Sequence, residues 1–171
     1  MKKVLFVVCL LIAAQWVQAQ MVDSIFAECK EAPGAMNLHL TKEMLKMAMA
    51  LQKDQKQSAI VKKIDLMKMV VIPSPDSLFA EKVTKELEAL ESDGKPDGYT
   101  KVMMGQDKSK DASQILLIKA EGEETVSPII REFLIGAVAK EKGQQVLLVA
   151  QVLGRFDIDD LDALMRIASR R

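Results

Sequence analysis

Few residues in this chain have the types and spacing that common catalytic sites require. Histidine occurs once, at His39, so a pair of histidines cannot hold zinc, and a Ser-His-Asp or Cys-His group is disfavoured. The sequence contains neither a G-x-S-x-G pattern nor a glycine-rich loop of the phosphate-binding kind. We therefore predict that the protein is not an enzyme, with an unusual enzyme that uses carboxylates alone as the alternative.

Four aspartates near the C-terminus, at positions 157, 159, 160 and 162, could suggest a calcium site. The segment lacks the glycine and the distal glutamate of an EF-hand loop. Asp157 is a good helix N-cap, and Asp159 and Asp160 follow it where the helix dipole favours negative charge. Helix capping explains the cluster, so we predict no metal ligand and no cofactor here.

Methionine is frequent, with 11 in 171 residues. Soft thioethers near His39 could bind copper(I), and flexible methionines could also form an adaptable binding groove. The spacing favours core packing instead, because Met44 and Met47 share a helical face and Met67 and Met69 share a strand face. The methionines that these interpretations concern are Met36, Met44, Met47, Met49, Met67, Met69, Met103 and Met104.

The elements that position these residues are clearest in Ile129–Arg170. Two apolar runs, Ile129–Val138 and Val146–Leu153, flank a polar turn and predict a β-hairpin. Only one residue in the second run is polar, so we expect this strand to be covered on both faces. Phe156 and Leu161 then form a hydrophobic staple around the Asp157 cap, and Leu161 begins an apolar helical stripe.

Helices and strands alternate in the N-terminal half of the chain, and further strands follow it. Gln20–Gly34 is expected to form a short helix and a turn, and the helix has Val22, Ile25, Phe26 and Cys29 on one face. Thr41 caps a second helix, and Ser74-Pro75-Asp76 starts a third with the Ser74 hydroxyl as its cap. Further strands are predicted at Met36–Leu40, Ile64–Ile72, Tyr99–Met104 and Ile115–Ala120. We predict an α+β fold with a mostly antiparallel sheet, in which a four-strand C-terminal meander joins strands from an N-terminal β-α-β-α part and helices pack on the sheet.

The N-terminus has the three parts of an export signal. Lys2 and Lys3 precede an apolar segment, Val4–Ala14, that is too short for a comfortable membrane span. Val17-Gln18-Ala19 fits a cleavage site, so we expect residues 1–19 to be removed. Residues 20–171 are expected to form one domain, in which Ser92–Gly98 is the best candidate hinge.

Removal of residues 1–19 would leave the protein with a single cysteine. Cys9 lies inside the apolar segment after Val8, which does not fit lipidation. Cys29 then remains alone, so no intramolecular disulfide is possible, and it is expected to be a small buried residue rather than a reactive thiol. The whole chain has a formal net charge of zero, so it lacks the excess of basic residues that is typical of nucleic-acid-binding proteins.

Three segments carry a resemblance to a known family. They are M-x-L-x-L-T-K-E-M-L-K-M at Met36–Met47, R-E-F-L-I at Arg131–Ile135 and G-R-F-D-I-D-D-L-D-A-L at Gly154–Leu164. The chain resembles the domain-of-unknown-function 4252 family of small exported bacterial proteins. That resemblance implies export, an α+β fold and an accessory role in the cell envelope, and it supplies no catalytic residues.

We therefore expect an exported, periplasmic or extracellular protein that binds an unknown protein or peptide partner in the envelope, with a role in envelope signalling. It is not expected to bind nucleic acid, or to span the membrane once the signal is cleaved. The alternative is a periplasmic carrier of a small ligand or metal that uses a methionine-rich surface. An exposed apolar patch would favour the first interpretation, and a closed apolar pocket with a few polar groups would favour the second.

Overall fold

The computed structural model describes residues 19–50, 59–91, 98–107, 112–121, 128–141 and 143–161. The helices are α1 over 19–31, α2 at Lys42–Ala50, α3 at Ser77–Glu88 and α4, which is described over 158–161. Residues 59–61 are also helical. The strands are β1 (Met36–Thr41), β2 (Ile64–Pro73), β3 (Thr100–Asp107), β4 (Ala112–Glu121), β5 (Ile129–Glu141) and β6 (Gln144–Phe156). Among the described helices, none has the length and apolar character needed to cross a bilayer.

The six strands form one antiparallel sheet in the order β1-β2-β6-β5-β4-β3. The predicted α+β class and the C-terminal meander are confirmed, since β3 to β6 are neighbours in chain order. The N-terminal strands join this meander at β6. The apolar run at Val146–Leu153 therefore lies in an interior strand, between β2 and β5, as its composition predicted.

One face of the sheet, called the first face, is covered by α1 and α3. The predicted stripe of α1 is confirmed, because its four apolar side chains are buried against the sheet with Val83 and Leu87 of α3. Burying each large apolar side chain contributes about 1.5–3 kcal/mol, which exceeds the worth of surface ion pairs. The sheet side of this core consists of Val70, Ile72, Ile115, Leu117, Leu134, Val138, Leu147 and Val149.

The opposite face, called the second face, carries a smaller core. Phe133 and Phe156 pack with their ring centroids 4.8 Å apart, and Leu45 of α2 is buried in the same cluster. Leu161 packs against this cluster, which agrees with the predicted staple around Asp157. Beyond it, Met36 and Leu38 of β1 are exposed.

Two sequence expectations are corrected. The third helix starts at Ser77 and its N-cap is Asp76, whose carboxylate accepts from the Leu78 N–H at 2.9 Å, so Ser74 is not the cap. Ser74 instead has a positive φ of 53° and turns the chain out of β2.

The polar turn predicted over Lys140–Gln145 is also shorter, because β5 reaches Glu141 and β6 begins at Gln144. A tight connection with Gly143 at φ 83° fits the twist of a hairpin.

Candidate functional site

A row of polar side chains crosses the first face at one end of the sheet. It consists of Lys68 on β2, Gln151 on β6, Glu132 on β5, Lys119 on β4 and Tyr99 just before β3, and is called the polar row. The strand register creates it, because Lys68 lies opposite Gln151 and Lys119 lies opposite Glu132. Directly opposed residues point to the same face of a sheet.

The same end of the sheet is irregular. Within the described strands, the register shifts lie between Ile64 and Leu66, Lys101 and Met103, Lys119 and Ala120, and Ile130 and Glu132. The shift in β5 allows Ile130 to join the second-face core while Glu132 points to the first face. Bulges re-aim side chains in this way and occur often beside functional sites.

Glu132 is the centre of the polar row. Glu132 is only 9% exposed. Its Oε1 accepts hydrogen bonds from the Tyr99 hydroxyl at 2.6 Å and from Gln151 Nε2 at 2.6 Å. Burial, with the nearby charge of Glu132, raises the pKa of Tyr99, so the phenol stays protonated as a donor. Two donors to one carboxylate oxygen reduce the cost of keeping this group inside the protein.

Gln151 has one hydrogen bond and one unused acceptor. A carboxylate only accepts hydrogen bonds, so the amide NH₂ must face Glu132 and the orientation of the amide is fixed. Its Oε1 is buried and has no hydrogen-bond partner in the described part of the chain. An unsatisfied buried acceptor costs about 1–3 kcal/mol, so this oxygen calls for an explanation.

A cavity of about 210 Å³ lies over the polar row. The start of α1 forms its other wall through Val22 and Asp23, together with Ala19, which the expected signal cleavage would remove. Asp23 is 3.5 Å from Lys68 Nζ. The cavity therefore offers carboxylate and amide acceptors together with two ammonium groups. Such a mixed lining of charged and polar groups suits recognition of a small polar molecule.

Cys29 is absent from the lining of this cavity and is buried on the core-facing side of α1. Burial, followed by the charges of Glu28 and Glu86, raises the pKa of its thiol to about 11. The thiolate is thus strongly disfavoured at neutral pH, which agrees with a small buried residue and disfavours a reactive thiol.

The aspartates near the C-terminus form a reciprocal cap. Asp157 Oδ1 accepts from the Asp160 N–H at 2.9 Å, and Asp160 Oδ2 accepts from the Asp157 N–H at 2.9 Å. Lys63 Nζ bridges both carboxylates, at 3.0 Å from Asp157 and 2.5 Å from Asp160. The predicted N-cap at Asp157 is confirmed and Asp159 is exposed, while Asp162 lies outside the described residues.

Core packing is the wrong interpretation for three of the methionines. Met36 is 60% exposed, and Met44 and Met47 are also exposed. Met67 and Met69 are half-buried on the second face, where Met67 packs against the phenylalanine cluster. The side chains of Met49, Met103 and Met104 lie outside the description. Because exposed methionines stay flexible and apolar, they favour the binding-surface alternative.

The outer edge of β1 is a second candidate site. Among the described strands β1 pairs only with β2, and its six residues hold no lysine, no proline and no register shift. The opposite edge, β3, carries Lys101, Asp107 and a register shift. Charges and bulges protect edges against pairing, so β1 is the less protected edge.

Sequence reasoning did not find the polar row. Its members are far apart in the chain, and only strand register brings Glu132 beside Gln151 and Tyr99. The available signal was a polar interruption of each of two apolar runs, by Arg131 and Glu132 in one and by Gln151 alone in the other. A polar residue that interrupts a buried strand needs a partner on the same face.

Comparison with known proteins gives one match. The model of the family described as Domain of unknown function (DUF4252) matches residues 29–164, which is most of the chain. The match includes β1 to β6 and all five residues of the polar row. No curated protein and no solved structure matches the sequence.

Proposed function

Since the chain belongs to the DUF4252 family, whose description names no activity, we propose from its own geometry that it is an exported accessory protein of the bacterial envelope, without enzymatic activity, that binds an extended segment of a partner protein in envelope signalling. The observation that carries the proposal is the outer edge of β1, which is the less protected edge among the described strands and lies beside exposed apolar side chains. An extended peptide adds to such an edge as a new strand, and its main-chain hydrogen bonds supply much of the affinity.

The side chains of β1 supply the specificity. Met36 and Leu38 point to the second face and are 60% and 42% exposed, while Asn37 and His39 point to the first face. A bound strand would therefore place apolar residues beside Met36 and Leu38 and polar residues beside Asn37 and His39. Methionine adapts its shape to a partner, which suits binding of related but unequal segments.

Site-specific photo-crosslinking in intact cells tests this proposal. A photoreactive amino acid is placed at position 38 in one strain and at position 78 in a second strain. Leu78 is a matched control, because it is an apolar side chain, 73% exposed, on α3 and away from β1. We expect a discrete adduct from position 38, identified by mass spectrometry, that is absent from position 78.

An edge variant decides whether the adduct reports strand addition. Asn37→Pro in the crosslinking strain removes a backbone donor from β1 and should abolish the adduct. Thr84→Ala on α3 is the tolerated control and should leave the adduct unchanged. Adducts formed only with a second copy of this chain, or adducts that survive Asn37→Pro in folded protein, would overturn the proposal.

Export is the other part of the proposal and is supported by the leader at Met1–Ala19. The first buried side chain of α1 is Val22, so cleavage after Ala19 would leave the packed part of the helix intact. Mass spectrometry of the protein from the periplasm or medium should find Gln20 as the first residue. Recovery of the folded protein from the cytoplasm with Met1 retained would contradict export.

A further inference from the structure

We propose that the polar row is the binding site of a small zwitterion of the amino-acid class, whose ammonium group is held by Glu132 and Gln151 and whose carboxylate is held by Lys119. The site lies on the first face under α1, whereas Met36 and Leu38 of β1 point to the second face. Strand β1 adjoins the polar row only where His39 lies opposite Lys68. It is therefore a function additional to the binding of a partner strand, and each can fail without the other.

The acceptor half of the site is built from groups that the fold already orients. Tyr99 and Gln151 both donate to Glu132 Oε1, which fixes the carboxylate and the amide. Gln151 is only 8% exposed, and its Oε1 is a buried acceptor with no partner in the described residues. An ammonium group has three donors and no acceptor, so it can satisfy this oxygen and the carboxylate together.

The cationic half lies on the neighbouring strand. Lys119 faces Glu132 across the β4–β5 ladder and lines the cavity, yet no carboxylate in the described part of the chain lies within ion-pairing distance of it. Lys68, at the other end of the row, is paired with Asp23. Lys119 is therefore the ammonium group best able to receive a ligand carboxylate, with charge-assisted hydrogen bonds.

Size and charge select the class of ligand. A cavity of 210 Å³ corresponds to roughly seven water molecules. It is smaller than the ~300–1,000 Å³ typical of sites for drug-sized ligands, which excludes a nucleotide or a large cofactor. Two carboxylates and two ammonium groups line it, so a ligand without net charge preserves the local balance. A simple amine or a simple acid would satisfy only one half.

The experiment uses the purified exported chain and the common L-amino acids, added one at a time at millimolar concentration. Binding is read by thermal denaturation and by fluorescence of Tyr99, which is the single tyrosine of the chain and contacts Glu132. Ethylamine and propionate are tested beside alanine, because together they supply its two charged groups separately. We expect at least one small amino acid to raise Tm and to change Tyr99 fluorescence, and neither single-charge compound to do so.

Two variants locate the binding. Glu132→Gln retains an acceptor for Tyr99 and removes the charge, and Lys119→Met removes the cation while keeping much of the side-chain length. Each should weaken binding by about tenfold or more, since hydrogen bonds to charged groups contribute that much. Lys85→Met on the exposed side of α3, where Lys85 pairs with Glu81 of the same helix, is the control and should bind as the parent does.

Several results would overturn the inference. They are the absence of any Tm or fluorescence response to all amino acids, an equal response to ethylamine or propionate alone, and unchanged affinity in both folded variants. Asn37→Pro separates the two proposals, because it should abolish the crosslink at the β1 edge and leave amino-acid binding unchanged. Loss of binding in Asn37→Pro protein that is still folded would also contradict a separate site.

Discussion

Glu132 shows how much of this protein's specific chemistry depends on single residues. A carboxylate on the interior side of a sheet is tolerated only with hydrogen-bond donors, and Tyr99 and Gln151 supply them. Gln151 therefore has a structural role as a donor to Glu132. Its Oε1 has no donor in the described part of the chain, and this is the atom that the proposed ligand would satisfy.

Cys29 provides a prediction at the same scale. The folded thiol should not react with a water-soluble thiol reagent at pH 8, and should react fully once the protein is unfolded in denaturant. Its side chain is fully buried and its pKa is raised to about 11, so both access and the thiolate fraction are low. Stoichiometric labelling of the folded protein at pH 8 would contradict this, and the unfolded sample is the positive control.

The pH dependence follows from the same shift. A raised pKa means that the folded state disfavours the thiolate more than the unfolded state does. The contribution of Cys29 to stability is therefore fully present below the ordinary pKa of 9.0, and it is lost as the pH rises towards about 11.

At the scale of elements, the cap of α4 connects this helix to Lys63, the residue just before β2. Asp160 accepts from the Asp157 N–H and from Lys63, and Lys63 O accepts from the Arg155 N–H at 3.1 Å. The hydrogen bond from the Asp160 N–H, followed by that from Lys63, lowers the pKa of Asp157. Its stabilising contribution is thus present above the ordinary aspartate pKa of 3.8 and is lost as the pH falls through the lowered value.

Asp160→Ala tests this cap. Removing the buried carboxylate leaves the Asp157 N–H without its acceptor and should lower the free energy of unfolding by about 1–2 kcal/mol. Asp159→Ala is the matched control, because Asp159 is the neighbouring aspartate and is exposed. Denaturant midpoints measure both variants. Equal midpoints for the two would show that the reciprocal cap contributes no stability.

Gly154 of β6 lies where the strand packs closely against the backbone of Lys63. A Cβ at this position would collide with the Lys63 carbonyl oxygen and lie 2.7 Å from the Phe156 ring, and the backbone oxygen cannot move aside easily. Gly154→Ala should therefore destabilise the protein by about 3 kcal/mol, near the upper end of overpacking costs. Gly105→Ala on β3 is the control, because a Cβ there meets no atom within 4 Å. Midpoints that shift equally in the two variants would contradict this packing.

The strands and caps were predictable because local patterns determine them. The apolar run of β6 and the Asp157 cap were both predicted from sequence and are found in the structure. Ser74 was misassigned, because its hydroxyl and the acid of Asp76 are equally plausible caps by residue type and only backbone geometry separates them. The site was not predictable, because bulges in β2 to β5 decide which residues face α1.

At the scale of the whole molecule, one sheet contains strands from both sides of the predicted hinge at Ser92–Gly98. β2 pairs with β6 along most of its length, and Leu87 of α3 packs where Gly136 of β5 leaves room for it. Residues 92–97 lie outside the description, but Glu91 and Tyr99 on either side of them form a β-bridge. We therefore expect the two halves to unfold together rather than as separate domains.

A substitution in the N-terminal half, read by a probe in the C-terminal half, tests that expectation. Ile72 of β2 is buried opposite Leu147, so Ile72→Ala should cost about 2–5 kcal/mol. Tyr99 fluorescence and far-ultraviolet circular dichroism should lose their folded signals at one shared denaturant midpoint, and the substitution should lower both by the same amount. Leu78→Ala is the control, because Leu78 is exposed and its loss should shift neither midpoint measurably. If Ile72→Ala lowered the dichroism midpoint while the Tyr99 midpoint stayed in place, the β2–β6 pairing would not couple the two halves and residues 20–171 would not be one cooperative domain.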